Sequence, residues 1–243
     1  MKMRFDEGKP VPGARQWYEV RGEKKDAAEV LIYDEIGAGF FGGGVSAEQF
    51  VKDVGALKLG AGDELTVRIN SPGGDLFDGN TMYNWLKSQA FNVSVVVDGV
   101  AASAASIVAM AADTLTMPEN SFLMIHNPWM FVAGDSGVLR KTADDLDVLR
   151  EGAVSAYAAK TSGKLSRGEI KEMLDAETWL GAAEAVEHGF ADTVAEPVQA
   201  AALMQFDLQG YGLSHLPERL QAEQRKAGER KNELRAGLKA RAV

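Results

Sequence analysis

Gly99-Val-Ala-Ala-Ser103-Ala-Ala-Ser106 joins an apolar run that predicts a strand, 93–97, to one that predicts a helix, 103–112. A strand feeding directly into a helix is half of a βαβ unit, and the pattern recurs on both sides. Upstream, 30–33 and 65–69 read as strands. Ser46-Ala-Glu-Gln49 opens a helix to about residue 57 in capping-box form, and 76–90 reads as another helix. Downstream, 114–117 and 122–125 are short strands. Leu139, Leu146, Leu149, Ala153 and Tyr157 recur at helical spacing, giving a long amphipathic helix ending near Gly163. Ser166-Arg-Gly-Glu169 opens a further helix, 182–188 is a short one closed by Gly189, and a last strand begins at Asp192-Thr-Val. Alternating strands and helices imply right-handed crossovers and a largely parallel α/β sheet.

The 243 residues suffice for one sizeable core with an appendage. Three segments are expected: an N-terminal arm over 1–25 with a short strand near 17–20, a main domain over 26–197, and a linker and charged, helix-forming tail over 198–243. The tail has too few apolar positions to predict a core face. No apolar run approaches the roughly 20 residues of a membrane span, and the first residues lack a secretory signal, so the expected location is cytoplasmic. With no cysteine, thiol catalysis and Cys-ligated zinc are excluded, and three scattered histidines do not suggest a metal site. A net charge of −9 argues against a nucleic-acid partner. From Leu216 onward eight Lys/Arg face four Glu, which is +4 and leaves −13 for the remainder. A basic tail on an acidic body suggests a segment that behaves separately.

Gly37-Ala-Gly39-Phe-Phe-Gly42 matches a dinucleotide-binding fingerprint in form, but its helix opens too late to receive a pyrophosphate. A loop near the ligand-binding edge of the sheet is the better reading. Ser103, flanked by alanines, has a reachable hydroxyl at a helix start, where outward N–H groups favour developing negative charge. Taken alone it reads as an N-cap, and Ser106 competes with it. His126 ends a strand that Asn127-Pro128 stops. Alone it reads as a hydrogen-bonded core histidine. Position favours chemistry: ligands bind beyond the carboxyl ends of parallel strands, where both residues fall. A hydroxyl and an imidazole so placed are parts of a serine-nucleophile site, which needs a carboxylate to orient the imidazole. Asp175, Glu177 and Glu184 are the candidates, and spacing does not choose among them. Asn70-Ser-Pro-Gly-Gly74 is a turn in which a missing side chain would let the Gly74 amide reach a substrate carbonyl, with the Ala104 amide as second donor.

Taken in order, Ile69-Asn-Ser-Pro-Gly-Gly74, Gly99-x-Ala-Ala-Ser103, Met124-Ile-His126-x-Pro128 and Trp179-Leu-x-Ala-x-Glu184-Ala-x-Glu-His-Gly189-x-x-Asp192 resemble the ClpP-type serine peptidases over about 28–196. The resemblance implies a ClpP/crotonase-type spiral of βαβ units with the long helix 138–161 projecting. It also implies Ser103 as nucleophile, His126 as general base, the Gly74 and Ala104 amides as oxyanion hole, and no cofactor or metal. The family's aspartate lies two residues before the aromatic that here is Trp179, so Glu177 occupies its place and Asp175 is the fallback. Glutamate fills this role in other hydrolases.

The glycine-rich stretch 36–44, the form Glu177-Thr-Trp-Leu180 and the extension through Tyr211 and Leu216-Pro217 into the charged tail look most like the phage ClpP-related head maturation (prohead) proteases. That likeness implies an ATP-independent endopeptidase that processes scaffold or capsid protein inside a procapsid and assembles with itself as a ring. No ATPase-docking feature is identifiable. The alternatives are a housekeeping ClpP-like subunit serving an ATPase and a catalytically degenerate shell or scaffold component. A crotonase-type acyl-CoA enzyme would not explain Ser103 together with His126, and a signal-peptide-peptidase relative would need an anchor.

Overall fold

The computed structural model describes residues 18–21, 26–37 and 44–197, and beyond them 208, 213, 215–218, 220–222 and 225. An eight-stranded sheet runs β1 (Tyr18–Arg21), β2 (Ala27–Ile32), β3 (Glu64–Ser71), β4 (Asn92–Ala102), β5 (Thr114–Pro118) and β8 (Thr193–Ala195) in spatial order. Off this path, β6 (Phe122–Ile125) pairs with β4 and β7 (Thr178–Gly181) pairs with β6. All pairs are parallel except β1 with β2 and β6 with β7. Helices among the described residues include α1 (Ala47–Gly55), α2 (Leu76–Lys87), α3 (Ala104–Ala109), α4 (Ser136–Thr161), α5 (Arg167–Asp175) and α6 (Ala182–His188).

β4 organises the site. It is 11 residues long, against the five of the predicted strand, because the glycine and alanines before Ser103 continue the ladder rather than form a loop. Its first half pairs with β5 from Ser94↔Thr114 to Val96↔Thr116. Its second half pairs instead with β6, from Val100↔Phe122 to Ala102↔Met124. The sheet therefore forks along β4, and the upper branch carries β6 and β7 toward the end where Ser103 stands. Small residues at Ala101, Ala102, Ala104 and Ala105 let that end be fully buried.

Local signals act as expected at most helix starts. Ser46 Oγ accepts from the Gln49 N–H at 3.2 Å, but the Gln49 side chain turns to Asp53 instead of completing the box. Ser166 and Glu169 form the full reciprocal box at α5. The long helix spans 26 residues and ends at Ser162 in the left-handed conformation, one residue ahead of Gly163.

The main core lies between the sheet and α1–α6, with Phe50, Met82, Leu115, Tyr157 and Phe190 among its fully buried side chains. A second apolar cluster sits on Val100, Ala102 and Met124, whose side chains alternate with the core-facing Ala101, Leu123 and Ile125. Leu208, Leu213, Leu216 and Leu220 cover it, with Phe122 and Trp179 at its margin. Reading 198–243 as linker and tail does not anticipate this packing. Leu213, Leu216 and Leu220 stand at the helical spacing i, i+3 and i+7, but Leu208 falls off it and Pro217 interrupts it, so the short pattern does not stand out as a buried face. Among the described residues no helix is long and apolar enough to cross a membrane. The predicted arm up to residue 17, most of loop 36–44 and most of the charged tail lie outside the described residues.

Candidate active site

Ser103 does not behave as the N-cap that serine at a helix start ordinarily is. Its backbone adopts φ 54°, ψ −127°, and its side chain makes no capping bond. That conformation costs an L-residue about 1–3 kcal/mol and persists only where neighbours hold it. The Ser103 N–H donates to Met124 O at 3.0 Å, and its carbonyl accepts from the Ser106 N–H at 2.9 Å. Strand-to-helix turns of this strained kind present a nucleophile at the top of a sheet. Released from capping, Ser103 Oγ lies 2.7 Å from His126 Nε2.

His126 is brought there by the fork. Ala102 is level with Met124 in the β4–β6 ladder, so the residue that follows Ile125 emerges beside the one that follows Ala102. The imidazole is largely buried, and burial lowers its pKa below the ordinary value. The Glu177 charge acts in the opposite direction.

β7, a strand absent from the sequence reading, is what delivers Glu177. It runs antiparallel to β6 with Ile125 opposite Thr178. Glu177 and His126 are the residues just beyond that last pair, and the Glu177 charge acts on the imidazole. Glu177 itself has φ 51°, an unfavourable backbone for a non-glycine residue, at the junction of α5 and β7. The other two carboxylates are engaged elsewhere. Asp175 Oδ1 accepts from Asn127 Nδ2 at 2.8 Å and pairs with Arg150 at 2.9 Å. Glu184 Oε2 accepts from the Gly181 N–H at 2.9 Å at the start of α6.

The two glycines of the Ser-Pro-Gly-Gly turn have distinct duties. Gly73, at φ +93°, presses against the nucleophile turn: a Cβ there would lie 2.5 Å from Ala102 O and 2.6 Å from Ser103 Cβ. Its N–H donates to Ser71 Oγ at 3.1 Å. Gly74, at φ +143°, lacks a side chain because Ile36 O would stand 2.1 Å from its Cβ. The glycine requirement at Gly74 thus comes from the adjoining β-bridge to Ile36, where the sequence reading looked to substrate. With Gly73 committed to Ser71, the Gly74 and Ala104 amides remain the donors to consider for an oxyanion. Among the described residues no group of three or more His, Asp or Glu could hold a metal ion.

The chemistry follows from the donor inventory. A neutral imidazole with its proton on Nδ1 offers Nε2 as acceptor for the Ser103 hydroxyl proton. A carboxylate on the Nδ1 side favours that tautomer and the imidazolium formed when the proton transfers.

A family model described as Clp protease matches residues 14–198. A relative described as ATP-dependent Clp protease proteolytic subunit 1 from Chlamydia abortus is 30% identical, over 72% of this chain and 94% of its own length. One of the same description from Protochlamydia amoebophila is 29% identical over 70% and 81%. Among solved structures, a ClpP1 mutant from Listeria monocytogenes matches with TM-score 0.58 and 26% identity, covering 74% of this chain and 95% of that one.

Proposed function

This chain belongs to the Clp protease family of serine peptidases, and from that premise we propose that it is an endopeptidase with Ser103 as nucleophile, His126 as general base and Glu177 as the carboxylate partner. Ser103 Oγ attacks the scissile carbonyl as His126 Nε2 takes its proton. The Gly74 and Ala104 amides receive the oxyanion of the tetrahedral intermediate. His126 then protonates the leaving amine, giving an acyl-enzyme that water hydrolyses by the same steps in reverse order. The observation that carries this reading is the 2.7 Å approach of His126 Nε2 to Ser103 Oγ, with the Glu177 charge acting on that imidazole.

The finer proposal is processing of phage scaffold or capsid protein during head maturation by a self-assembled protease. Its support is local to this sequence: the Glu177-Thr-Trp-Leu180 form, the glycine-rich 36–44 stretch and the extension beyond the family match into a basic tail. A second reading, a proteolytic subunit working with an ATPase, has the more direct support of the comparisons, because the curated relatives carry that description.

Treatment with a fluorophosphonate tests the chemistry. Labelling confined to Ser103 is expected, and labelling elsewhere, or none in the assembled protein, overturns the assignment. Incubation with a capsid-protein precursor, with and without an ATP-driven unfoldase, separates the two settings. Discrete trimming by the protein alone supports maturation, whereas degradation that needs the unfoldase and ATP supports the second reading.

A further inference from the structure

Ser106 and Tyr157 are buried polar residues that the mechanism leaves unused. Ser106 Oγ lies 2.6 Å from Ser103 O and 2.8 Å from Tyr157 Oη. A serine hydroxyl has one proton, and a carbonyl only accepts. Ser106 therefore donates to the Ser103 carbonyl, and Tyr157 must be the donor to Ser106. Burial pushes the Tyr157 hydroxyl above its ordinary pKa, which keeps that proton in place. The result is a one-way relay, Tyr157 O–H to Ser106 O–H to Ser103 C=O.

The acceptor at its end belongs to the peptide that joins Ser103 to Ala104. A trans peptide is planar, with C=O and N–H pointing in opposite directions. The Ser103 carbonyl also accepts from the Ser106 N–H at 2.9 Å and the Ile107 N–H at 3.4 Å; the relay adds its shortest bond, 2.6 Å, and fixing the carbonyl fixes the aim of the Ala104 N–H. Hydrogen bonds in a chain also polarise one another, so a bond to the carbonyl strengthens the N–H at the other end as a donor. We propose that Ser106 and Tyr157 are positioning residues for peptide-bond cleavage, which orient and polarise the Ser103–Ala104 peptide so that its N–H stabilises the oxyanion. The inference rests on Ser103 being the nucleophile. It gives α4 a role in the chemistry, since Tyr157 anchors the relay from that helix, its ring set against Phe190 at 5.8 Å.

The test uses the full-length chain, with a peptide substrate and a peptide boronate that forms a tetrahedral adduct on a serine nucleophile. Ser106→Ala should lower kcat by about tenfold, less than removing an oxyanion donor outright, with KM little changed and boronate affinity falling in parallel with kcat. Tyr157→Phe should lower kcat by about threefold, because Ser106 still donates. Ser106→Ala also leaves a buried tyrosine hydroxyl without its partner, so its Tm should fall. The double variant S106A/Y157F removes both polar groups and should recover much of that Tm, while kcat and boronate affinity stay at the Ser106→Ala level. Recovery of kcat together with Tm would mean a purely structural pair and would overturn the proposal, as would a Ser106→Ala kcat within twofold of the parent. Fluorophosphonate labelling of the parent at Ser103 keeps the two questions apart. If it is absent, the catalytic reading itself has failed; if it is present, the variants decide the role of the relay.

Discussion

His126 Nε2 stands 2.7 Å from Ser103 Oγ across 23 residues of sequence, and the contact is fixed by backbone pairing before any side chain is considered. β6 joins β4 only along Val100–Ala102, and the two strands end within one residue of each other, β4 at Ala102 and β6 at Ile125. Neither residue has freedom to drift from the other without breaking the ladder or the Ser103 N–H bond to Met124 O.

The pH dependence follows from the surroundings of that imidazole. Burial lowers the His126 pKa from its ordinary 6.5, with Glu177 opposing. A base must be neutral to accept a proton, so kcat/KM should be at its plateau above that value and fall as pH drops through a midpoint below it. Initial rates from about pH 4 to 8, a range that covers ordinary histidine titration, check this. A midpoint above the ordinary histidine value would mean that the Glu177 charge outweighs burial.

Glu177 and Asp175 are separable by substitution. Glu177→Gln removes the one charge that raises the His126 pKa, so the acid limb should move to still lower pH. The rate should also fall by about 10³-fold or more, as expected when the orienting carboxylate is neutralised. Asp175→Asn disturbs the Asn127 and Arg150 contacts and should keep more than about a tenth of the activity, because Asp175 acts through Asn127 and not on the imidazole. Steady-state rates and pH profiles of the two variants decide between them, and the reverse ranking would restore Asp175 as the triad member.

How much of this was legible in the sequence depends on the length and regularity of each signal. Long periodic segments were: the 26-residue α4 and the capping box at Ser166 stand where the pattern puts them. The fork was not, since Gly99–Ala102 reads as loop by composition and becomes strand only through pairing with β6. β7 is missed because only Trp179 and Leu180 of its four residues are strongly apolar and it ends on Gly181, whereas the equally short β6, Phe-Leu-Met-Ile, is apolar throughout. That omission leaves three carboxylates open on spacing alone, whereas the β6–β7 ladder ends at Ile125↔Thr178, one residue short of both His126 and Glu177, and of the three only the Glu177 charge acts on the imidazole. Gly73 reads in the sequence only as a turn glycine beside Gly74, because its close approach to Ser103 is a tertiary fact.

Gly73→Ala should be far more damaging than alanine at a glycine of similar φ in open space. At Gly73 the new Cβ meets backbone at 2.5 Å and the nucleophile's Cβ at 2.6 Å, whereas at Gly163, φ +84°, it meets nothing within 4 Å. Gly163→Ala should cost only the left-handed backbone term, about 1–2 kcal/mol, and retain fluorophosphonate labelling. Gly73→Ala adds a clash with atoms that cannot swing away, so the labelling rate at Ser103 should drop by at least about a hundredfold, the scale of losing one oxyanion-hole contact. Equal labelling rates for the two variants would show that the turn tolerates displacement.

The cluster beneath the upper branch predicts that the C-terminal leucines support the site from its far side. Leu216 and Leu220 are almost fully buried against Val100, Ala102 and Met124, residues one to three positions from Ser103 or His126 on the strands that carry them. Leu216→Ala or Leu220→Ala should each destabilise the fold by about 2–4 kcal/mol, the usual cost of emptying a leucine site in a core. Substitution of the exposed Val148 by alanine should stay within about 0.5 kcal/mol. Removing the chain after residue 197 should uncover all three strand positions at once, lowering Tm and promoting aggregation through the bared apolar face. Thermal melts of the two leucine variants, the Val148 control and the truncation check this. A truncated protein that melts like the full chain would mean that the cluster adds nothing to the strands it covers.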